Sequence, residues 1–183
     1  MPQQKFQEQT RGLVIIYTGE GKGKTTAALG LALRAAGYKK KVLIVQFGKI
    51  WFTGELEGIK KLAPLVKIIQ GGLGFVKILN DKLSLKEHKK AAQDTFDRLY
   101  KEITSGKWDV VIADEIHGTV AGKLLSINQV LNLIKYKPEQ MDLVLTGRHA
   151  HPKVIAKADL VTEMKAIKHP FDQGFLAKMG IDY

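Results

Sequence analysis

The chain contains no cysteine. That excludes disulfides, thiolate metal centres and a cysteine nucleophile, and it fits a reducing interior. No apolar run approaches the roughly 20 residues of a membrane span. The opening residues, MPQQKFQEQTRG, have no apolar core of the kind a secretory signal needs. A cytoplasmic protein is expected. There is no internal repeat, low-complexity tract or linker, so residues 1–183 are expected to form one nucleotide-binding domain, with 1–11 a flexible N-terminal segment.

Acidic residues are also few, 18 against 29 Lys and Arg, which leaves a formal charge of +11. Residues 1–61 hold 11 basic and 4 acidic side chains, so most of the excess lies there. Such a bias favours polyanionic partners, either nucleotide phosphates or nucleic acid. No periodic basic–aromatic pattern for stacking bases is present, which ranks nucleic acid last.

Strand-like and helix-like segments alternate over the whole length. The expected strands are Leu13–Tyr17, Val42–Phe47, Val66–Gln70, Asp109–Ala113, Asp142–Thr146 and the shorter Leu160–Glu163. Several are continuous apolar runs, as in strands buried on both faces of a parallel sheet. Expected helices include Thr25–Ala36, ending at Gly37, and Leu85–Thr104, opened by the capping pair Ser84 and Glu87. Another starts at Ser126 with Gln129. The alternation predicts a three-layer α/β fold with a mostly parallel central sheet, and ligands beyond the carboxyl ends of its strands.

Three such ends carry chemistry. After the first strand comes TGEGKGKTT (18–26), where Gly19, Gly21 and Gly23 let backbone N–H groups approach an anion and Lys24 adds charge. Glu20 and Lys22 lie within the same loop, and Thr25 or Thr26 can offer a hydroxyl to Mg²⁺. The strict P-loop spacing G-x-x-x-x-G-K-[ST] would place a glycine at Thr18, so this loop misses the pattern by one residue. After the fourth strand, VVIADE (110–115) has the form of a metal-holding acid, with Asp114 or Glu115 as the ligand. After the fifth, LTGRHAHP (145–152) brings Arg148, able to approach a phosphate or cap a turn. His149 and His151 lack a third ligand nearby and are expected to face solvent, and His117 either meets a ligand or packs. The aromatics Trp51, Phe52 and Phe75 sit in loops after strands, where they either stack on a flat ligand or complete the core.

The combination GEGKGKTTAALG, QFGKIWFTGE, VVIADEI, LTGR, ADLVTEM and KHPFDQGFLAKMGIDY resembles the P-loop type of the corrinoid adenosyltransferase family, whose substrates include cob(I)alamin and cob(I)yrinic acid a,c-diamide. The resemblance runs from about Arg11 to Tyr183, and the shortened loop and the MGIDY tail are its most specific parts. It implies a RecA-like P-loop NTPase fold, a homodimer, and transfer of the 5′-deoxyadenosyl group of Mg-ATP to a Co(I) corrinoid with release of triphosphate. By matching position, the loop Gly19 to Thr25 would hold the triphosphate and Lys24 would neutralise it. Thr25 and Glu115 would be the Mg²⁺ contacts. Cobalt would receive its electrons from a flavin-type reductase. Two departures stand out: Glu20 where the family commonly has asparagine, and Lys77 where it often has a tryptophan two residues after the aromatic matched by Phe75. The residues alone leave open a P-loop ATPase or kinase, with Glu115 positioning water or a hydroxyl.

Overall fold

The computed structural model describes residues 11–74, 76–78 and 81–183. The element order is β1 (Val14–Thr18), α1 (Lys24–Gly37), β2 (Val42–Phe47), α2 (Gly54–Lys60), β3 (Val66–Gly71), α3 (Leu85–Ile103), β4 (Val110–Asp114), α4 (Ile116–Ala121), α5 (Ile127–Tyr136), β5 (Asp142–Thr146), α6 (Pro152–Ile155) and β6 (Leu160–Glu163), followed by a 3₁₀ turn at Pro170–Gln173. The six strands form one sheet in the order β3-β2-β4-β5-β1-β6, and every pairing is parallel. The expected α/β fold is therefore observed, with a sheet that is parallel throughout. Apart from Arg11, the segment expected to be a flexible N-terminus lies outside the described residues.

The apolar runs of β2, β4 and β5 are buried because helices cover both faces of the sheet. On one face Val42, Ile44, Val110, Ile112 and Val144 pack against Ala28, Ala32, Ala35 and Ala36 of α1. The alanines let that helix lie close to the strands. On the other face Leu43, Val45, Val111 and Leu145 meet Phe96, Leu99 and Ile103 of α3 and Val130 and Leu133 of α5. Each large aliphatic side chain so buried contributes on the order of 1.5–3 kcal/mol. β6, at the edge, is exposed along its whole length.

Helix boundaries follow local chemistry. Ser84 accepts from the Glu87 N–H while the Glu87 carboxylate accepts from the Ser84 N–H, and Ser126 and Gln129 repeat the arrangement at α5. Both capping boxes were expected. The end of α1 differs in detail: Gly37 is still helical, and the left-handed residue is Lys39 with φ 61°. Two carbonyls of the last turn are capped by the backbone N–H groups of Lys39 and Lys40, so the turn needs no glycine at that point.

The candidate functional site, a cleft at the carboxyl ends of the strands

The loop between β1 and α1 stands at the carboxyl edge of the sheet, where the strand order places β1 between β5 and β6. Gly19 and Gly23 have φ of 99° and 117°, a region that favours glycine. Sterics add a second requirement. A Cβ on Gly19 would lie 2.4 Å from the Met164 carbonyl oxygen, and one on Gly21 would lie 2.7 Å from the Lys165 carbonyl carbon. The chain leaving β6 runs directly against the loop, and the Gly21 N–H donates to the Met164 carbonyl at 2.7 Å.

Lys24 opens α1. Its Nζ donates to the carbonyls of Gly19 and Gly21, each at 2.7 Å, so the ammonium is held inside the loop. Burial pulls this ammonium below the usual lysine range, while Glu115 pulls it back; Arg148 adds a smaller downward push. No side chain caps the start of α1, which leaves its first N–H groups directed at the loop's hollow.

Beneath the loop lies a buried polar network. Asp114, at the end of β4, accepts four hydrogen bonds. Its Oδ1 takes the Thr25 hydroxyl at 2.9 Å and the Thr146 hydroxyl at 2.7 Å. Its Oδ2 takes Gln46 Nε2 at 3.1 Å and Lys49 Nζ at 3.2 Å. Gln46 also donates to Glu55 Oε1 at 3.1 Å and accepts from Gln70 Nε2 at 3.1 Å. Because carboxylates only accept, the Gln46 amide can face its neighbours in one orientation only.

Glu115 is arranged differently. Its backbone is left-handed, with φ 63°, and its N–H donates to Thr146 Oγ1 at 2.9 Å. Among the described residues nothing donates a hydrogen bond to its carboxyl group, and its Oε2 lies 3.0 Å from where a Cβ on Gly118 would stand. Burial first, and then the neighbouring Asp114 charge, push its pKa above the ordinary glutamate value; Lys24 opposes them. Of the two acids that ended the fourth strand, Asp114 is thus already fully engaged by protein donors, whereas Glu115 keeps its oxygens available.

These groups face a cleft of about 530 Å³. Glu20, Gly21, Lys22, Gly23, Lys24, Thr25, Thr26, Glu115 and Arg148 line it, so nine of the expected site residues come together. Arg148 reaches Glu20 at 3.1 Å, and His149 approaches the same carboxylate at 3.5 Å. Gly19 shapes the loop from behind, and Asp114 lies below the cleft floor. Trp51 stands apart from the cleft: its ring lies beside Gly74, and its carbonyl accepts from Gln70 Nε2 at 3.3 Å. Phe75 lies outside the described residues.

His151 and His117 behave as structure. The His151 ring accepts from the Lys153 N–H at the start of α6, and His117 is buried with Nε2 unpartnered. Among the described residues no group of three or more His, Asp or Glu side chains is placed to hold a metal by itself.

Four residues escaped sequence reasoning: Gln46, Lys49, Glu55 and Thr146. Gln46 carried a usable signal, being the one polar residue in the apolar run VLIVQF. The tail was noted only for its resemblance, yet His169 and Gly180 to Tyr183 form a wall of the cleft, and Lys22 is tied to Asp182 at 2.6 Å.

The chain has relatives that match it over nearly its whole length. The profile of the family described as ATP:corrinoid adenosyltransferase BtuR/CobO/CobP matches residues 10–183. A corrinoid adenosyltransferase of Escherichia coli strain K12 is 33% identical over 177 residues, which cover 96% of this chain and 88% of that protein. The corrinoid adenosyltransferase CobA of Salmonella typhimurium is 32% identical over the same shares. A corrinoid adenosyltransferase of Pseudomonas aeruginosa is 33% identical over 94% of this chain and 84% of its own length. A glycine loop closed by a lysine, the acid-ended strand β4 and a tail that lines the same cleft are what these matches span, and the protein belongs to the ATP:corrinoid adenosyltransferase family.

Proposed function

We propose that the protein transfers the 5′-deoxyadenosyl group of ATP to the Co(I) centre of a corrinoid and releases triphosphate whole. The family match over residues 10–183 carries this reading, and the cleft supports it chemically. Co(I) is itself a strong nucleophile. It attacks the ribose C5′, the cobalt–carbon bond forms as the C5′–oxygen bond breaks, and the electron pair leaves on the triphosphate. The protein therefore needs no nucleophilic side chain; it must grip the leaving group, align C5′ and exclude water.

The loop Gly19 to Thr25 and the uncapped start of α1 supply N–H donors for phosphate oxygens. Lys24 inside the loop, with Lys22 and Arg148 at its rim, offsets their charge. The donor set also fits Mg²⁺: the Thr25 hydroxyl and the unshared Glu115 carboxyl line the cleft, one carboxylate and one hydroxyl being what an ion otherwise held by water and phosphate requires. When bound with ATP, that ion supplies further neutralisation of the departing triphosphate. Asp114 orients Thr25 from below. The tail residues Gly180 to Tyr183 form one wall of the cleft, on the side where water would otherwise enter. Trp51 and Phe75 belong to the corrinoid side in this reading.

The same proposal takes residues 1–183 as one nucleotide-binding domain, active as a homodimer in the cytoplasm, with a flavin-type reductase delivering electrons to cobalt. The resemblance supports these points, and the lack of cysteine fits the reducing compartment alone. No helix among the described residues is long and apolar enough to cross a membrane.

The test is to mix the protein with ATP, Mg²⁺ and chemically reduced cob(I)alamin. Loss of the Co(I) absorption, a light-sensitive alkyl-cobalt product and one tripolyphosphate per turnover are expected. ADP and phosphate with no cobalt–carbon bond would overturn the reading in favour of a P-loop ATPase or kinase.

A further inference from the structure

Lys49 is the cation of the cleft that neither the glycine loop nor the LTGR strand end supplies. It follows β2, its side chain is only 17% exposed, and it lines the cleft with Lys22, Lys24 and Arg148. Its Nζ lies 3.2 Å from Asp114 Oδ2 and 3.4 Å from Glu55 Oε1. Gln46 Nε2 donates to the same two oxygens, at 3.1 Å each. The four groups thus close a ring in which each carboxylate oxygen is shared by one neutral and one charged donor.

This ring has two unequal sides. Gln46 is fully buried and fixed on β2, so its two bonds are built into the sheet. Lys49 has a flexible stem and an ammonium at the cleft wall, so its two bonds can be exchanged for others. If Lys49 withdraws, Asp114 and Glu55 each retain a Gln46 bond, and Asp114 also keeps the Thr25 and Thr146 hydroxyls. Withdrawal therefore strands no carboxylate without a donor. A polyphosphate entering the cleft offers the ammonium several charged oxygens in place of one oxygen from each acid, and charge-assisted bonds of this kind are strong.

We propose that Lys49 is a further polyphosphate-binding residue, held in reserve by Asp114 and Glu55 and transferred to the terminal phosphates of a nucleoside triphosphate when it binds. Glu55 is the positioning residue that sets how readily it moves. The inference rests on the triphosphate reading above and adds a cation that the loop motif does not contain.

Inorganic tripolyphosphate with Mg²⁺, titrated calorimetrically, is the probe, because it isolates the leaving group from adenine and corrinoid. Lys49→Met is expected to weaken binding at least about tenfold. Glu55→Gln, which removes one of the two charges restraining Lys49, is expected to tighten it by a few-fold. The opposite signs separate this role from a structural one, since loss of a mere scaffold ion pair would weaken binding in both variants. Far-ultraviolet circular dichroism of each variant checks the fold. Should Lys49→Met fail to fold, the Glu55→Gln titration decides alone. Binding to folded Lys49→Met within twofold of the wild type, or weaker binding in Glu55→Gln, would overturn the assignment. Absence of tripolyphosphate binding in the wild type would instead remove the triphosphate reading, and this inference with it.

Discussion

The Thr25 hydroxyl donates to Asp114 Oδ1 at 2.9 Å, which joins the first turn of α1 to the end of β4 across 89 residues of sequence. Thr26, the next residue, lines the cleft but makes no such bond. The two threonines of the loop are therefore unequal. Thr25→Val should lower kcat/KM on the order of a hundredfold, because both the Asp114 bond and a cleft hydroxyl are lost. Thr26→Val should cost far less. Steady-state kinetics of the two variants provide the check, and equal losses would show that the Asp114 bond is irrelevant.

Glu115 should trade stability for function. Its carboxyl is pushed above the ordinary glutamate pKa by burial and by Asp114. For an acid with a raised folded pKa, the folded state holds its proton more tightly than the unfolded state. Stability contributed by that proton is present below the unfolded value and is lost as pH rises through the folded one. Glu115→Gln, which never ionises, should therefore raise Tm at neutral pH relative to the wild type, and the gain should vanish near pH 4. On the proposed role of this carboxylate in holding Mg²⁺, turnover should fall on the order of a hundredfold or more. Thermal melts at several pH values, paired with activity, test both halves.

Burial lowers the His117 pKa from 6.5 to about 4. This is a base with a depressed folded pKa, so its contribution is intact above pH 6.5 and is lost as pH falls towards 4. The loss is about 3 kcal/mol at most, from roughly 1.36 kcal/mol per unit. His117→Phe removes the titration and the unpartnered Nε2 together. Its stability should stay flatter between pH 6.5 and 4 in urea unfolding, with little change at pH 7.5. A variant whose acid-side loss matches the wild type would show that other groups govern that range.

Glu20, the residue that departs from the asparagine of the family's loop, is explained by its partners: Arg148 at 3.1 Å and His149 at 3.5 Å. The side chains are half exposed, so the pair is weak in itself. It holds Arg148 on a carboxylate that, under the proposed triphosphate binding, phosphate must outcompete. Glu20→Asn should tighten tripolyphosphate binding by a few-fold, with a larger gain at low salt. Weaker binding in that variant would mean that Glu20 instead helps to orient the loop.

The sheet was legible because β2, β4 and β5 are apolar runs whose burial on both faces requires nothing else of their residues. α3 and α5 were legible from their capping pairs. α2 and α6, at seven and four residues, are too short for a helical period to emerge. In the site, the loop and the two acids declared themselves by local spacing. The ring of Gln46, Lys49, Glu55 and Asp114 did not, because Asp114 joins the Gln46–Glu55 segment only once parallel register sets β4 beside β2. The division of labour between Asp114 and Glu115 was hidden for a similar reason. It depends on Thr146, 32 residues further on, which donates to one and accepts from the backbone of the other.

The position of β1 has a consequence for synthesis. This strand carries the loop, yet both of its neighbours, β5 and β6, begin only at residues 142 and 160. The carbonyl that fixes Gly21 belongs to Met164. While the ribosome is still making the first three-quarters of the chain, the residues proposed to hold nucleotide have no lateral support, and such long-range closures are slow. Nucleotide capture is therefore a property that arrives with the final segments of the chain, and a polypeptide released early would carry the loop motif without a working grip.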